Sequence, residues 1–280
     1  MKLKFILSRK GFDSQFGGSP SPIFPEDAAD NKNLMLSLPM PEKDSNGNVY
    51  DIGINSDNLN FRGFTFNEKY VHLDPDIRPK LYKTLPNDFV PSLGQSDSAA
   101  SHLNAKGVGE NDVFLFFGLF QKLEWKCERW LFTGKPFHAI WGYLQVDKRF
   151  DLSAENNREQ FKNHLHVKHP ALRNPNFIYT AKKNLELNGN AFDIPGYGAF
   201  HFDETLRLTL PGEDKVTHWK KDCLPWLQEG CPNMTYHNKE NLKKEYFQAS
   251  YRGQEFIVEN GEPYIEWFND LLKLRDERWG

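Results

Sequence analysis

The sequence predicts an α+β protein with a mainly antiparallel or mixed sheet, a few packing helices and long loops. Three observations carry this expectation. Apolar runs of strand length outnumber helical patterns along the 280 residues. Long connections rich in Pro and Gly break the regular alternation of strand and helix that a doubly wound parallel sheet requires. Hydrophobic residues make up only 39% of the chain, but they include 23 Phe, 10 Tyr and 7 Trp, so large rings must supply much of the buried area. A single domain spanning residues 1–280 is expected from that length.

Taken in order, Lys2 to Leu7 shifts from alternating charge to continuous apolar character and reads as a first strand entering the core. Gly11 to Ser56 reads as loop and hairpin, with Leu34 to Leu38 its best strand. Ser92 to Glu110 is small and polar. Asp112 to Phe120 then reads as a fully buried strand, and Phe137 to Val146 as its partner across a turn at Thr133-Gly134-Lys135-Pro136. Ser153 caps an expected helix from Glu155 to Leu165. Strands follow at Phe177 to Lys182, Leu206 to Leu210 and Gln254 to Val258, and an amphipathic helix from Tyr264 to Arg275 closes the chain.

The formal net charge of -3 excludes a global basic field, so any contact with nucleic acid must be local. Cys127, Cys223 and Cys231 form neither a zinc-ligand spacing nor an even set for disulfides, which suits a reducing compartment. The first residues hold too short an apolar stretch for a signal peptide and no later run is long enough to span a bilayer, so the expected location is the cytoplasm, without membrane partners.

Chemistry is expected first in the loop from Ser8 to Ser21. Arg9 and Lys10 are placed to hold a phosphate, Gly17 and Gly18 to let backbone N–H groups approach it beside Ser14 and Ser19, and Asp13 to accept from a ribose hydroxyl. The same residues also fit a plain turn, and they match neither the dinucleotide fingerprint nor the P-loop. A second set is His72 and Asp74, which share a face if the chain is extended there. They suit a general base with its orienting carboxylate or two metal ligands, although Asp74-Pro75-Asp76 also reads as a turn with Asp76 starting a helix. The third is Glu255 at the mouth of a strand, flanked by Arg252 and Gln254, suited to stabilising positive charge at a sugar; an edge-strand ion pair is the structural alternative. His164, His166 and His169 read as a solvated helix end, and no metal site is expected.

The segments Leu7-Ser8-Arg9-Lys10-Gly11-Phe12-Asp13-Ser14, Gly17-Gly18-Ser19-Pro20-Ser21-Pro22-Ile23, His72-Leu73-Asp74-Pro75-Asp76, Phe114-Leu115-Phe116-Phe117-Gly118-Leu119-Phe120, Trp141-Gly142-Tyr143, Leu208-Thr209-Leu210-Pro211-Gly212 and Arg252-Gly253-Gln254-Glu255-Phe256-Ile257-Val258 resemble, in order, the third nucleotide modification associated domain family. That resemblance implies action on a nucleotide or a base of DNA. A more distant similarity to ADP-ribosyltransferases places Arg9 and Gln254-Glu255 where those enzymes carry an early NAD-gripping Arg and a late Glu, and it implies NAD as a candidate donor. The expected function is therefore nucleotide or DNA-base modification by glycosyl or ADP-ribosyl transfer. In that scheme Asp13 and Gln254 orient sugar or base, Arg252 positions the acceptor and Glu255 stabilises or deprotonates the reacting group. Single-stranded DNA or an unpaired base is the favoured partner. The alternative is a non-catalytic nucleic-acid-binding module, stacking bases on Tyr197, Trp219 and Trp226, or an interaction subunit of a modification or phage-defence system.

Overall fold

A computed structural model describes residues 2–12, 18–26, 31–42, 49–169, 172–227, 233–251 and 255–280. The strands are β1 (Phe5–Arg9), β2 (Ser21–Phe24), β3 (Leu34–Met35), β4 (Met40–Pro41), β5 (Ile54–Asn55), β6 (Tyr70–His72), β7 (Ser92–Ser96), β8 (Val113–Lys126), β9 (Arg129–Asp151), β10 (Asn176–Ala181), β11 (Glu186–Leu187), β12 (Asn190–Ala191), β13 (Tyr197–Ala199), β14 (His218–Trp219), β15 (Phe247–Gln248) and β16 (Glu255–Val258). The helices are α1 (Asp97–Ala105), α2 (Glu155–Gln160), α3 (Leu165–Lys168) and α4 (Ile265–Leu272). With 36% strand against 18% helix in antiparallel or mixed sheets, the class is α+β. No helix among the described residues is long and apolar enough to cross a membrane.

The chain divides into two compact units. The first comprises Met1–Leu38, Val113–Tyr143 and Ala199–Asp276, and the second Pro39–Asp112, Leu144–Gly198 and Glu277–Gly280. In the first, β1 lies between β16, antiparallel, and β8, parallel, with Phe5 opposite both Val258 and Val113. Strand β8 is buried from Val113 to Phe120, which explains its uninterrupted apolar run: neither of its faces meets water there. The Phe5 ring meets Trp226 at 6.2 Å and Phe268 of α4 at 5.5 Å between centroids, so aromatic rings fill this core as the composition requires. In the second unit, β10 pairs antiparallel with β7 and with the end of β9, while β6 lies between β4 and β5. Leu152, Phe161 and Ile178 form a small core under α2.

Several expectations change. The β8–β9 hairpin turns at Cys127 and Glu128, not at Thr133 to Pro136; both turn residues have positive φ, 51° and 59°. A two-residue loop of that kind matches the twist of its strands, so the pair runs on past the buried segment. The helix expected over Glu155 to Leu165 is two short helices, and Ala154, not Ser153, stands at the first cap. Packing Phe161 into the small core stops α2, and His164 starts α3 by accepting a hydrogen bond from the His166 N–H at 3.1 Å. The polar stretch from Ser92 forms β7 and α1, where only Ala100 and Leu103 of the helix are buried. Asp76 begins no helix; it bridges to Ser92. Trp219 and Trp226 are fully buried and cannot stack on bases.

Candidate functional site

The second unit gathers ionisable side chains around the end of β6. His72 closes that strand opposite Met40, and the chain continues through Leu73 to Asp74, so two successive odd steps return a side chain to the same neighbourhood. Glu42 follows β4 directly, with its N–H donating to the Tyr70 carbonyl at 3.0 Å. Its Oε1 lies 3.4 Å from His72 Nδ1 and its Oε2 3.4 Å from His169 Nε2. Burial pushes the Glu42 carboxyl up to about 7.

Strand β7 and helix α3 complete the group. The Gly94 N–H donates to Asp74 Oδ1 at 2.7 Å, while Asp74 Oδ2 stands 4.0 Å from His166 Nε2. His166 is positioned by Asn176 at the start of β10: its Nδ1 meets Asn176 Oδ1 at 2.7 Å, and Asn176 Nδ2 returns a bond to the His166 carbonyl at 2.9 Å. The amide oxygen accepts only, so Nδ1 carries the proton and Nε2 presents its lone pair in the neutral ring. A Cβ on Gly94 would overlap the His166 ring, so glycine is required for this approach. His72, Asp74 and His166 thus offer donor atoms within 4.8 Å of one another, a set able to hold a metal ion.

Beside them lies a cavity of about 670 Å³, whose lining includes the apolar Ile54, Val71 and Phe89 and the polar His72, Asp76, Tyr82 and His164. Tyr82 donates to Asp76 Oδ2 at 2.5 Å. Burial pushes Asp76 up to about 7, against the opposing pulls of Tyr82 and Arg78. Burial and the neighbouring His166 push His164 down to about 3.

The family model described as Nucleotide modification associated domain 3 matches residues 4–259. The chain belongs to that family. None of the curated proteins and none of the solved structures compared with it matches. A nucleotide modification associated role follows from the family.

Of the residues expected from sequence, His72 and Asp74 are in the second unit and converge as described, joined by His166. Glu255 is in the first unit, where it is buried, pairs in register with Ser8 and accepts from the Ser8 hydroxyl at 3.1 Å. Alternation along β1 sends Arg9, opposite Phe117, to the other face of the sheet from Ser8 and Glu255. Arg9 acts there on His138, which burial and the nearby guanidinium push down to about 3. Lys10 is buried, with its N–H on the Phe117 carbonyl at 2.8 Å; Gly18 is exposed and Ser19 half-buried. Asp13, Ser14, Gly17, Arg252 and Gln254 lie outside the described residues.

The domain also brings to this cluster and its cavity residues that sequence reasoning missed. Glu42, Asn176, Gly94 and Tyr82 have no local signature. His166 was visible only as part of a His-rich stretch, but that stretch is not a solvated helix end: His166 is buried because α3 folds it onto β7. The hairpin of β8 and β9 carries an exposed ring, Trp125, set edge-on to the half-buried Trp130 at 5.0 Å.

Proposed function

We propose that the protein is a nucleotide- or base-modifying enzyme whose substrate enters the cavity of the second unit. The observation that carries this reading is the cavity itself: about 670 Å³, lined both by apolar side chains that suit a base and by polar groups including Asp76 and Tyr82. The family supplies the substrate class. The hydrogen-bonded Asp76–Tyr82 pair on the cavity wall is the group placed to exchange a proton with a bound molecule.

A second reading, glycosyl or ADP-ribosyl transfer at Glu255 with NAD as donor, is favoured by one feature. A carboxylate buried at a sheet edge beside a hydroxyl suits the stabilisation of a sugar cation. The two readings separate by calorimetric titration of wild-type protein, Val90→Trp and Glu255→Gln with nucleoside monophosphates, NAD and short single-stranded DNA. Val90 lines the cavity and is 45% exposed, so a larger ring there fills the entrance without entering the core. The cavity reading expects Val90→Trp to weaken nucleotide binding about tenfold or more, equivalent to at least ~1.4 kcal/mol, with Glu255→Gln unchanged. Loss of NAD binding only in Glu255→Gln would transfer the assignment to the transferase reading. Binding of DNA without turnover would favour the non-catalytic module.

A further inference from the structure

We infer that His72, Asp74 and His166 bind a divalent transition-metal ion through His72 Nε2, Asp74 Oδ2 and His166 Nε2. The inference stands on donor geometry alone and does not depend on which substrate the cavity takes. The three donors come from two segments, the end of β6 with the residue two beyond it and helix α3, and they converge within 4.8 Å. Two ligands each about 2.1 Å from a tetrahedral ion stand roughly 3.4 Å apart, so His166 Nε2 and Asp74 Oδ2, now 4.0 Å apart, need only a small inward shift of the side chains to share one ion.

The atoms pointing away from this centre are held as metal ligands require. His166 Nδ1–H donates to Asn176 Oδ1 at 2.7 Å, and His72 Nδ1 lies 3.4 Å from Glu42 Oε1. Asp74 Oδ1 accepts from the Gly94 N–H at 2.7 Å. Each contact fixes one ligand atom toward the centre, and a carboxylate or carbonyl behind an imidazole also raises its basicity. Gly94 fixes His166 a second time by seating its ring against the strand backbone.

Two imidazoles and one carboxylate select a first-row transition ion such as zinc, iron or cobalt over magnesium or calcium, which prefer oxygen donors. Three protein ligands leave coordination positions for water or substrate. His72 belongs both to the donor set and to the cavity wall, so an ion held here borders the space proposed for substrate.

The competing account is a metal-free cluster in which a protonated histidine faces Asp74. Chelator-stripped full-length protein would be titrated with Zn²⁺, Co²⁺ and, anaerobically, Fe²⁺, following stoichiometry, visible Co²⁺ absorption and thermal unfolding. The expected result is one equivalent bound with a Co²⁺ ligand-field band and a raised unfolding temperature. Asp74→Asn, which keeps the shape and the Gly94 bond, and His72→Ala, on the cavity wall, are each expected to weaken binding at least 100-fold. Asn176→Ala is expected to keep the stoichiometry with about 10- to 100-fold lower affinity, the signature of a positioning residue. Absence of stoichiometric binding to the wild-type protein, or full binding by folded Asp74→Asn or folded His72→Ala, would overturn the site.

Discussion

Acidification from pH 7 to pH 5 is expected to cost the protein about 2 kcal/mol of folding stability through His138 alone. The ring lies between Phe117 and Trp219, with centroids 5.5 and 6.1 Å away, and its Nδ1 accepts from the Trp219 indole N–H at 3.2 Å. Protonation would put a charge in an apolar enclosure, turn that acceptor into a donor and add repulsion from Arg9; the folded value is accordingly pushed down to about 3. In the unfolded chain the ring returns to its ordinary value of about 6.5. Between those values the unfolded state binds more protons, so the stability is fully present above about pH 6.5 and is lost as pH falls toward 3. Urea unfolding at pH 7 and pH 5 on wild type and His138→Gln tests this. The wild type should lose about 2 kcal/mol more than the variant; equal losses would show that His138 is not held neutral. His237 shares the direction, since burial lowers it and its Nε2 accepts from the Ser250 N–H at 2.9 Å, but it remains in both proteins and cancels in the comparison.

Gly94→Ala is expected to destabilise the protein by about 1–3 kcal/mol, the usual cost of forcing an extra carbon into a filled site. The new Cβ would occupy the volume of the His166 ring, so the ring or β7 must move. Either movement disturbs the Gly94 N–H bond to Asp74 or the Asn176 bond to His166. Gly109→Ala in the same unit is the control: a Cβ there meets nothing within 4 Å, and the change should be neutral or stabilising by up to about 1 kcal/mol. Urea midpoints of the two variants measure the contrast. Equal midpoints would mean that the ring yields without cost.

Much of the first unit was legible because its signals are local. The apolar run of β8, the pairing segment in β9 and the closing α4 are continuous or periodic patterns that strand and helix geometry must bury. Strand β7 and helix α1 were not legible, since Ser, Gly, Ala and Asn carry little apolar signal and are ordered by what packs on them. Two of the three donors of the candidate centre were also readable: His72 and Asp74 stand two residues apart on extended chain, a spacing that carries both side chains toward one side.

The sequence by itself determined the α+β class, the aromatic core, the family and the local pairing of His72 with Asp74. These depend on composition, on periodicity and on residues within a few positions of each other. Only the tertiary structure decided that His166 joins them, that Glu42, Asn176 and Gly94 hold the set in place, that Ser8 meets Glu255 while Arg9 turns away, and that Trp219 and Trp226 are core. Each of those depends on strand register or on packing between segments tens to hundreds of residues apart, and long-range pairing leaves no periodic trace in a single chain.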